Sequence, residues 1–381
     1  MKRLVQSWSC CRVGTKRRTS SCKLSATLLP LGGDALAPRL VLGTMMYGDS
    51  ICTEDAFDQM DYAFERGVLS FDSAEMYPVP QSATTQGASE QCVGDWMRSR
   101  NISRDSIEIN TKISGPGGME WLRGGPERLD KENIVAAVDE SLRRLGTDYI
   151  DVLLLHWPDR YVPMFGDSMY EIQYAYDSFC SFEEQVEAME RLHREGKIRS
   201  FGLSNETPYG VIKFCQAALS DSMIRPIVTQ NSYSLLCRTF ETGGLAESCH
   251  MEDVGLMAYS PLAMGLLSGK YRRGGYCEDT DARLVKFKGR YAEAESRYGP
   301  KPNVYEAIEA YVCMAQTHGM TPVELALRFV LSHPQVVSVV VGASNVSQLE
   351  TLIASHQRGP LDPSILGDID TIHAQYPNPC P

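Results

Sequence analysis

The chain has 381 residues, 43% hydrophobic and 22% charged, with a net charge of −11 at neutral pH. Those proportions suit a folded globular protein long enough for one large barrel or two domains. No apolar run approaches the roughly 18 residues of a membrane helix, so no membrane span is expected, and an acidic body without a basic cluster argues against nucleic acid as a partner.

Residues 1–33 differ in composition. They contain no Asp or Glu, while Lys2, Arg3, Arg12, Lys16, Arg17, Arg18 and Lys23 alternate with Ser7, Ser9, Ser20 and Ser21. This suits an organelle transit peptide, since the apolar core of a secretory signal is missing; a disordered basic tail is the alternative. Plastid and mitochondrion both stay open, and the cytoplasm is expected if the leader is not a transit peptide. We place the leader at 1–23 and the folded unit at 24–381. Twelve cysteines are scattered without a C-x-x-C pair, and Cys249-His250 is the one Cys/His adjacency. Such scatter reads as reduced structural thiols, with no metal site expected.

Gly32-Gly33-Asp34 marks a turn, and a hairpin is expected within Leu24–Leu40. Arg39 to Gly43 reads as a strand, followed by a helix from Glu54 to Arg66 that Gly67 stops. A second strand runs from Gly67 through Phe71 and ends on Asp72; a helix follows at Ser89–Arg98. Ile107–Lys112 is a third strand, followed by a helix at Asn133–Leu145. Tyr149–Leu155 is a buried strand with a helix at Phe182–Glu195. Ile198–Leu203 precedes a helix at Tyr209–Leu219, and Ile227–Gln230 a helix at Leu245–Met251. Gly255–Ala258 is the seventh strand. After a polar, Gly-rich stretch at 270–302 come helices at Tyr305–Thr317 and Pro322–Leu331. The strand Val336–Val341 and a helix at Ser347–Ser355 complete the pattern. Mostly apolar strands alternating with helices predict an α/β fold with a parallel sheet covered on its outside. A doubly wound open sheet would carry G-x-G-x-x-G after an early strand, and the chain has none. A closed (β/α)8 TIM barrel is the expectation, with reactive residues at the strand C-termini.

Those ends carry a coherent set. Strand two ends at Asp72 with Tyr77 just beyond, strand three at Lys112, and strand four at His156. An unperturbed phenol holds its proton to near pH 10. A neighbouring ammonium is expected to lower that value, with Asp72 holding the ammonium in place. An imidazole opposite the phenol would orient a carbonyl, which Tyr77 would protonate while hydride reaches its carbon. No side chain supplies hydride, so a nicotinamide cofactor is expected.

With Ala74-Glu75-Met76-Tyr77-Pro78-Val79-Pro80 and His156-Trp157-Pro158-Asp159-Arg160, the chain resembles the aldo-keto reductases, within a Tas-like and plastid-type branch. The resemblance spans from about Leu40 to the last predicted helix, and its catalytic tetrad falls on Asp72, Tyr77, Lys112 and His156. It implies a barrel reductase that uses NADPH to reduce a small carbonyl substrate, an aldehyde or ketone, to the alcohol. It also implies that Gly43, Thr44 and Met45 lie against the nicotinamide ribose, that Ser204, Asn205 and Gln230 bind the carboxamide, and that Tyr259 stacks on the ring. Ser260, Pro261, Leu262, Gly265 and Lys270 match the pyrophosphate loop, and Gly342, Ala343, Ser344 and Gln348 the adenosine end. The sequence departs from the family's pattern at Gln348, where many relatives carry a basic side chain for the 2′-phosphate, and at Leu352, where Asn often reaches the adenine. Lys270 and Arg283 are the candidates for the missing charge, and NADH stays open as the alternative.

Potassium-channel β subunits share this barrel and cofactor loop, which keeps a cofactor-bound binding or sensor subunit as the rival; they lack the histidine that stands here as His156. Insertions near 114–129, 157–180 and 270–302 overhang the rim. The first two carry Trp121, Trp157, Tyr161, Phe165, Tyr170, Tyr174 and Tyr176, which suit either an apolar substrate or a packed lid. Oligomeric state leaves no signal.

Overall fold

A computed structural model describes residues 38–220, 223–271, 277 and 280–381. The leader expected at 1–23 lies outside these residues, as does all but the end of the hairpin expected at 24–40. Eight strands pair in chain order, all parallel, and the last pairs back with the first to close a barrel. They are β1 (Arg39–Gly43), β2 (Ser70–Asp72), β3 (Glu108–Ile113), β4 (Ile150–Leu155), β5 (Ile198–Ser204), β6 (Pro226–Ser232), β7 (Gly255–Tyr259) and β8 (Val336–Val341). The (β/α)8 TIM barrel expected from the alternation is what the chain forms.

The helices around it are α1 (Thr53–Glu65), α2 (Ala88–Arg100), α3 (Lys131–Leu145), α4 (Phe182–Arg194), α5 (Pro208–Ser220), α6 (Thr239–Thr242), α7 (Leu245–Met251), α8 (Arg283–Lys286), α9 (Ala292–Ser296), α10 (Val304–Thr317), α11 (Pro322–Leu331), α12 (Val346–Gln357) and α13 (Pro363–Gln375). Their starts follow local chemistry. Asp130, Ser181, Thr321 and Asn345 each accept a hydrogen bond from the backbone three residues on, capping α3, α4, α11 and α12. Gly146, left-handed at φ 65°, ends α3. Four helices were not expected from the sequence: α6, α13, and α8 and α9 inside the stretch read as polar insertion. For α13 the signal was present, since Pro363 opens it and Ile365, Ile369 and Ile372 recur on one face packed against α10.

Alternation along the strands divides the apolar residues between two cores. Leu42, Phe71, Ile109, Leu153, Phe201, Leu256 and Val339 face outward into the layer between sheet and helices. Val41, Val152, Leu154, Val228, Met257 and Val340 fill the barrel's interior. Gly202 on β5 makes room there, because an added Cβ would come within 2.7 Å of Val228 and 2.8 Å of Leu154. The same alternation turns Ser70 and Asp72 of β2 and Glu108, Asn110 and Lys112 of β3 inward. The β2–β3 side of the interior is therefore polar and the rest mainly hydrocarbon, with Gln230 of β6 reaching across to Asp72. Among the described residues, no helix is long and apolar enough to cross a membrane.

Candidate active site

The polar side of the interior rises to the C-terminal mouth, where the four sequence-predicted residues meet. Lys112 lies one residue before the end of β3 rather than at it, and its side chain is fully buried. A buried ammonium needs a counter-charge. Nζ donates to Asp72 Oδ2 at 2.6 Å and to the Ser73 carbonyl at 2.7 Å, and stands 4.8 Å from the centre of the Tyr77 ring. His156 follows β4 directly, and its ring meets that of Tyr77 edge-on, with 5.6 Å between centres. Trp157 backs the imidazole at 4.7 Å and is itself anchored by its indole N–H on the Pro116 carbonyl, 2.8 Å away.

Burial sets the protonation of this group. It pushes the His156 pKa well below the usual 6.5, and the Lys112 charge adds to that effect, so the imidazole is neutral at neutral pH. Its Nδ1 is buried without a hydrogen-bond partner among the described residues, which leaves Nε2 as the ring nitrogen facing the cleft. Burial also lowers the Lys112 pKa, against the pull of Asp72.

The expectation that Lys112 lowers the Tyr77 pKa is corrected. Burial raises the phenol well above 10, with Asp72 and Glu293 adding to the rise and Arg283 opposing it. The physical reason is first the burial of the phenol, which penalises its charged form, and then the negative charge of Asp72, which sits against the ammonium at contact.

Beside this group a cleft of about 1310 Å³ runs across the barrel mouth. Asp72, Tyr77 and His156 line it, as do Gly43, Met45, Ser204, Asn205, Gln230 and Tyr259. Ser260, Pro261, Leu262, Gly265 and Lys270 also line it, as do Arg283 and, from the β8–α12 turn, Gly342, Ser344 and Gln348. Thr44 is the exception. Its side chain is fully buried and bonds Ser89 Oγ at 2.7 Å and the Asp72 carbonyl at 3.1 Å, so the structure makes it a brace between β1 and α2 rather than a cleft residue.

The loop that follows β7 lines the cleft in an unusual conformation. Ser260, Ala263, Met264 and Gly265 are all left-handed, at φ 55°, 47°, 55° and 95°, in a loop where L residues rarely adopt that conformation. The N–H groups of Ala263 and Gly265 donate to the Ser260 and Leu262 carbonyls, both at 2.9 Å, so this winding is held by the loop's own backbone bonds. In the β8–α12 turn, Gln348 Oε1 accepts from the Ser344 N–H at 3.0 Å and Asn345 caps α12, so the helix N-terminus, which favours negative charge, opens beside the cleft. Leu352 is buried there. Arg283 lies elsewhere: its guanidinium reaches Met45 Sδ at 3.9 Å, near the Tyr77 end of the cleft.

Several contributors escaped sequence reading. Glu75, in the same loop as Tyr77, is buried in an ion pair with Arg123 and accepts the Ser114 N–H at 2.7 Å, tying the 114–129 insertion to the strand ends. Tyr291, Glu293 and Arg297 come from the 270–302 segment and surround Tyr77 and Tyr259. Position in the chain gave no sign of these meetings; only the Glu75 neighbourhood was local enough to suspect.

A closed parallel barrel whose mouth joins a phenol, an imidazole and a buried Lys–Asp pair to a long nucleotide-sized cleft defines a carbonyl-type oxidoreductase site. Residues 39–374 match the sequence model of the Aldo/keto reductase family, and the chain belongs to that family, whose members are oxidoreductases that generally use NAD(P)H on small carbonyl compounds. It is 38% identical over 346 residues to "Protein tas" of Escherichia coli strain K12, covering 90% of this chain and 96% of that protein. The Shigella flexneri protein of the same name is equally similar. An "Aldo-keto reductase" of Babesia bovis is 35% identical over 285 residues, covering 72% of this chain and 98% of its own length.

Proposed function

We propose that the protein reduces an aldehyde or ketone to the alcohol with NADPH, with Tyr77 as the proton donor. The observation that carries this reading is the edge-on meeting of Tyr77 and His156, 5.6 Å apart, above the Lys112–Asp72 pair. The neutral imidazole offers Nε2–H to the substrate oxygen and sets where that oxygen lies. The phenol then gives its proton to the oxygen as negative charge develops there. An alkoxide is far more basic than a phenolate, so the transfer runs downhill even from a phenol raised by burial. Lys112 counters the phenolate that remains.

NADPH, when bound, supplies the hydride for the carbonyl carbon. The residues present fit such a dinucleotide. A cleft of about 1310 Å³ exceeds the roughly 300–1,000 Å³ of common small-molecule sites, leaving room for a cofactor and a small substrate. Lys270, in the lining beside the 260–265 loop, suits a pyrophosphate, and Asn205, Gln230 and Tyr259 suit a nicotinamide. The preference for NADPH over NADH rests on the family resemblance and on Lys270 in the cleft, since Arg283 lies at the Tyr77 end. The walls beside Tyr77 include Met45, Met46, Trp157, Met164 and Phe165, which favours an apolar substrate body.

The test is the fall of NADPH absorbance with a panel of small aldehydes and ketones. Cofactor binding without turnover of any member would sink the reductase reading and favour a sensor. Equal affinity for NADH and NADPH in a fluorescence titration would sink the nucleotide preference alone.

A further inference from the structure

Tyr259 and Asn205 are joined to a residue the sequence did not single out. Arg297 follows α9 in the 270–302 segment and is only 5% exposed. Its Nη1 donates to the Tyr259 hydroxyl at 2.8 Å. That hydroxyl donates to Asn205 Oδ1 at 2.7 Å, and Asn205 Nδ2 donates to the His156 carbonyl at 2.8 Å. The guanidinium is itself held by Glu293 Oε1 at 3.0 Å and by the Pro381 main-chain oxygen at 3.0 Å. The rings of Phe165 and Tyr259 lie 5.5 and 5.8 Å from its carbon.

We propose that Arg297 is a positioning residue for the nicotinamide end of the cofactor, acting through the Tyr259 hydroxyl on the Asn205 amide. The proposal rests on the nucleotide reading above. Its physical basis is direction. A guanidinium has no acceptor and can only donate. The hydroxyl that accepts from it must therefore pass its own proton onward, which fixes Oδ1 of Asn205, not Nδ2, on the Tyr259 side. Nδ2 is then committed to the His156 carbonyl. The second lone pair of Oδ1 is left for a carboxamide N–H, while the Tyr259 ring is held at its tip by one accepted and one donated bond. Without Arg297, the hydroxyl could accept from Asn205 instead, the amide could turn over, and the ring plane would be set by packing alone. Stacking and amide recognition thus form one unit, steered from a segment far along the chain.

The experiment compares NADPH with 2′-phospho-ADP-ribose, which lacks the nicotinamide, by fluorescence titration of the full chain and its variants. Arg297→Met is expected to weaken NADPH about tenfold, the size of one charge-assisted hydrogen bond, while the nicotinamide-free ligand stays within about twofold. Tyr259→Phe is expected to behave alike, and the double variant to lose no more than either single one. Arg297→Lys, which keeps a donor, is expected to recover most of the NADPH affinity. Equal weakening of both ligands would make Arg297 a purely structural residue and overturn the proposal, as would unchanged NADPH binding or losses that multiply in the double variant. A wild-type protein that binds neither ligand overturns the nucleotide reading, and this proposal with it. Wild-type binding with an indifferent Arg297→Met overturns this proposal alone.

Discussion

Gln230 donates its side-chain amide to Oδ1 of Asp72 at 2.9 Å, while Lys112 holds Oδ2 of the same carboxylate at 2.6 Å. Both oxygens of Asp72 are therefore engaged from opposite sides. A carboxylate so held is an anchor, not an acid–base group, and its service is to keep the ammonium under the phenol. Gln230, expected from the family resemblance to bind a carboxamide, has a second attachment in the barrel interior, so the floor of the cleft and the polar interior are one hydrogen-bonded body.

Replacing Tyr77 with Phe removes the proposed proton donor and leaves the ring. We expect carbonyl reduction to fall by roughly 10²- to 10⁴-fold, the usual worth of a general acid, with NADPH affinity within about twofold. Steady-state rates and a cofactor titration check both halves. Loss of the two together would show that the phenol supports the nucleotide rather than the substrate.

Lys112→Met strands the Asp72 charge in a buried site. The expected cost is about 3–5 kcal/mol of stability, read from urea unfolding. Adding Asp72→Asn should recover much of it, because the pair is then removed whole, while activity stays absent. A double variant no more stable than the single one contradicts this account of the pair.

His156 sets an acid limit. Burial depresses its folded-state pKa below the 6.5 it regains on unfolding. As pH falls below 6.5 the unfolded chain binds a proton that the folded chain refuses, so stability declines from there until the folded pKa is passed. His333 and His373 are depressed by burial as well, so His156→Gln should make the decline shallower without abolishing it. Unfolding free energies measured between pH 7 and 5 decide the matter; identical slopes for the two proteins would refute the assignment.

Gly166 joins two rim insertions. It has φ 108°, an added Cβ would lie 2.4 Å from the Ser296 carbonyl, and Ser296 Oγ bonds the Phe165 carbonyl at 2.5 Å. Gly166→Ala should loosen that contact and quicken proteolysis within 157–180. Gly118→Ala, at φ 75° with open space around it, is the control and should leave cleavage there unchanged. Equal cleavage in both variants would mean the contact is incidental.

The barrel was legible because its strands announce themselves locally: β-branched runs such as Val336–Val341 and a carboxylate closing β2 need no tertiary context. The Tyr77, Lys112 and His156 set followed from strand order alone, since consecutive strand ends of a barrel are neighbours. What stayed hidden depends on which way a side chain turns. Thr44 lies on the expected loop yet faces Ser89. The Tyr77 pKa moves opposite to expectation because the balance of burial against a paired cation cannot be read from residue types. Arg297 reaches Tyr259 across 38 residues, and Arg283 comes to rest near Met45 rather than at the adenosine end.

The uneven interior has an effect beyond packing. Asp72, Glu108, Asn110 and Lys112 of β2 and β3, joined by Gln230 of β6, carry the polar groups, and Val41, Val152, Leu154, Val228, Met257 and Val340 the hydrocarbon. Weakly polarisable surroundings screen poorly, so the buried groups beside that hydrocarbon act on one another more strongly than they would in water. In the proposed reaction, a carbonyl seated against Tyr77 would meet those weakly screened groups before any proton moves.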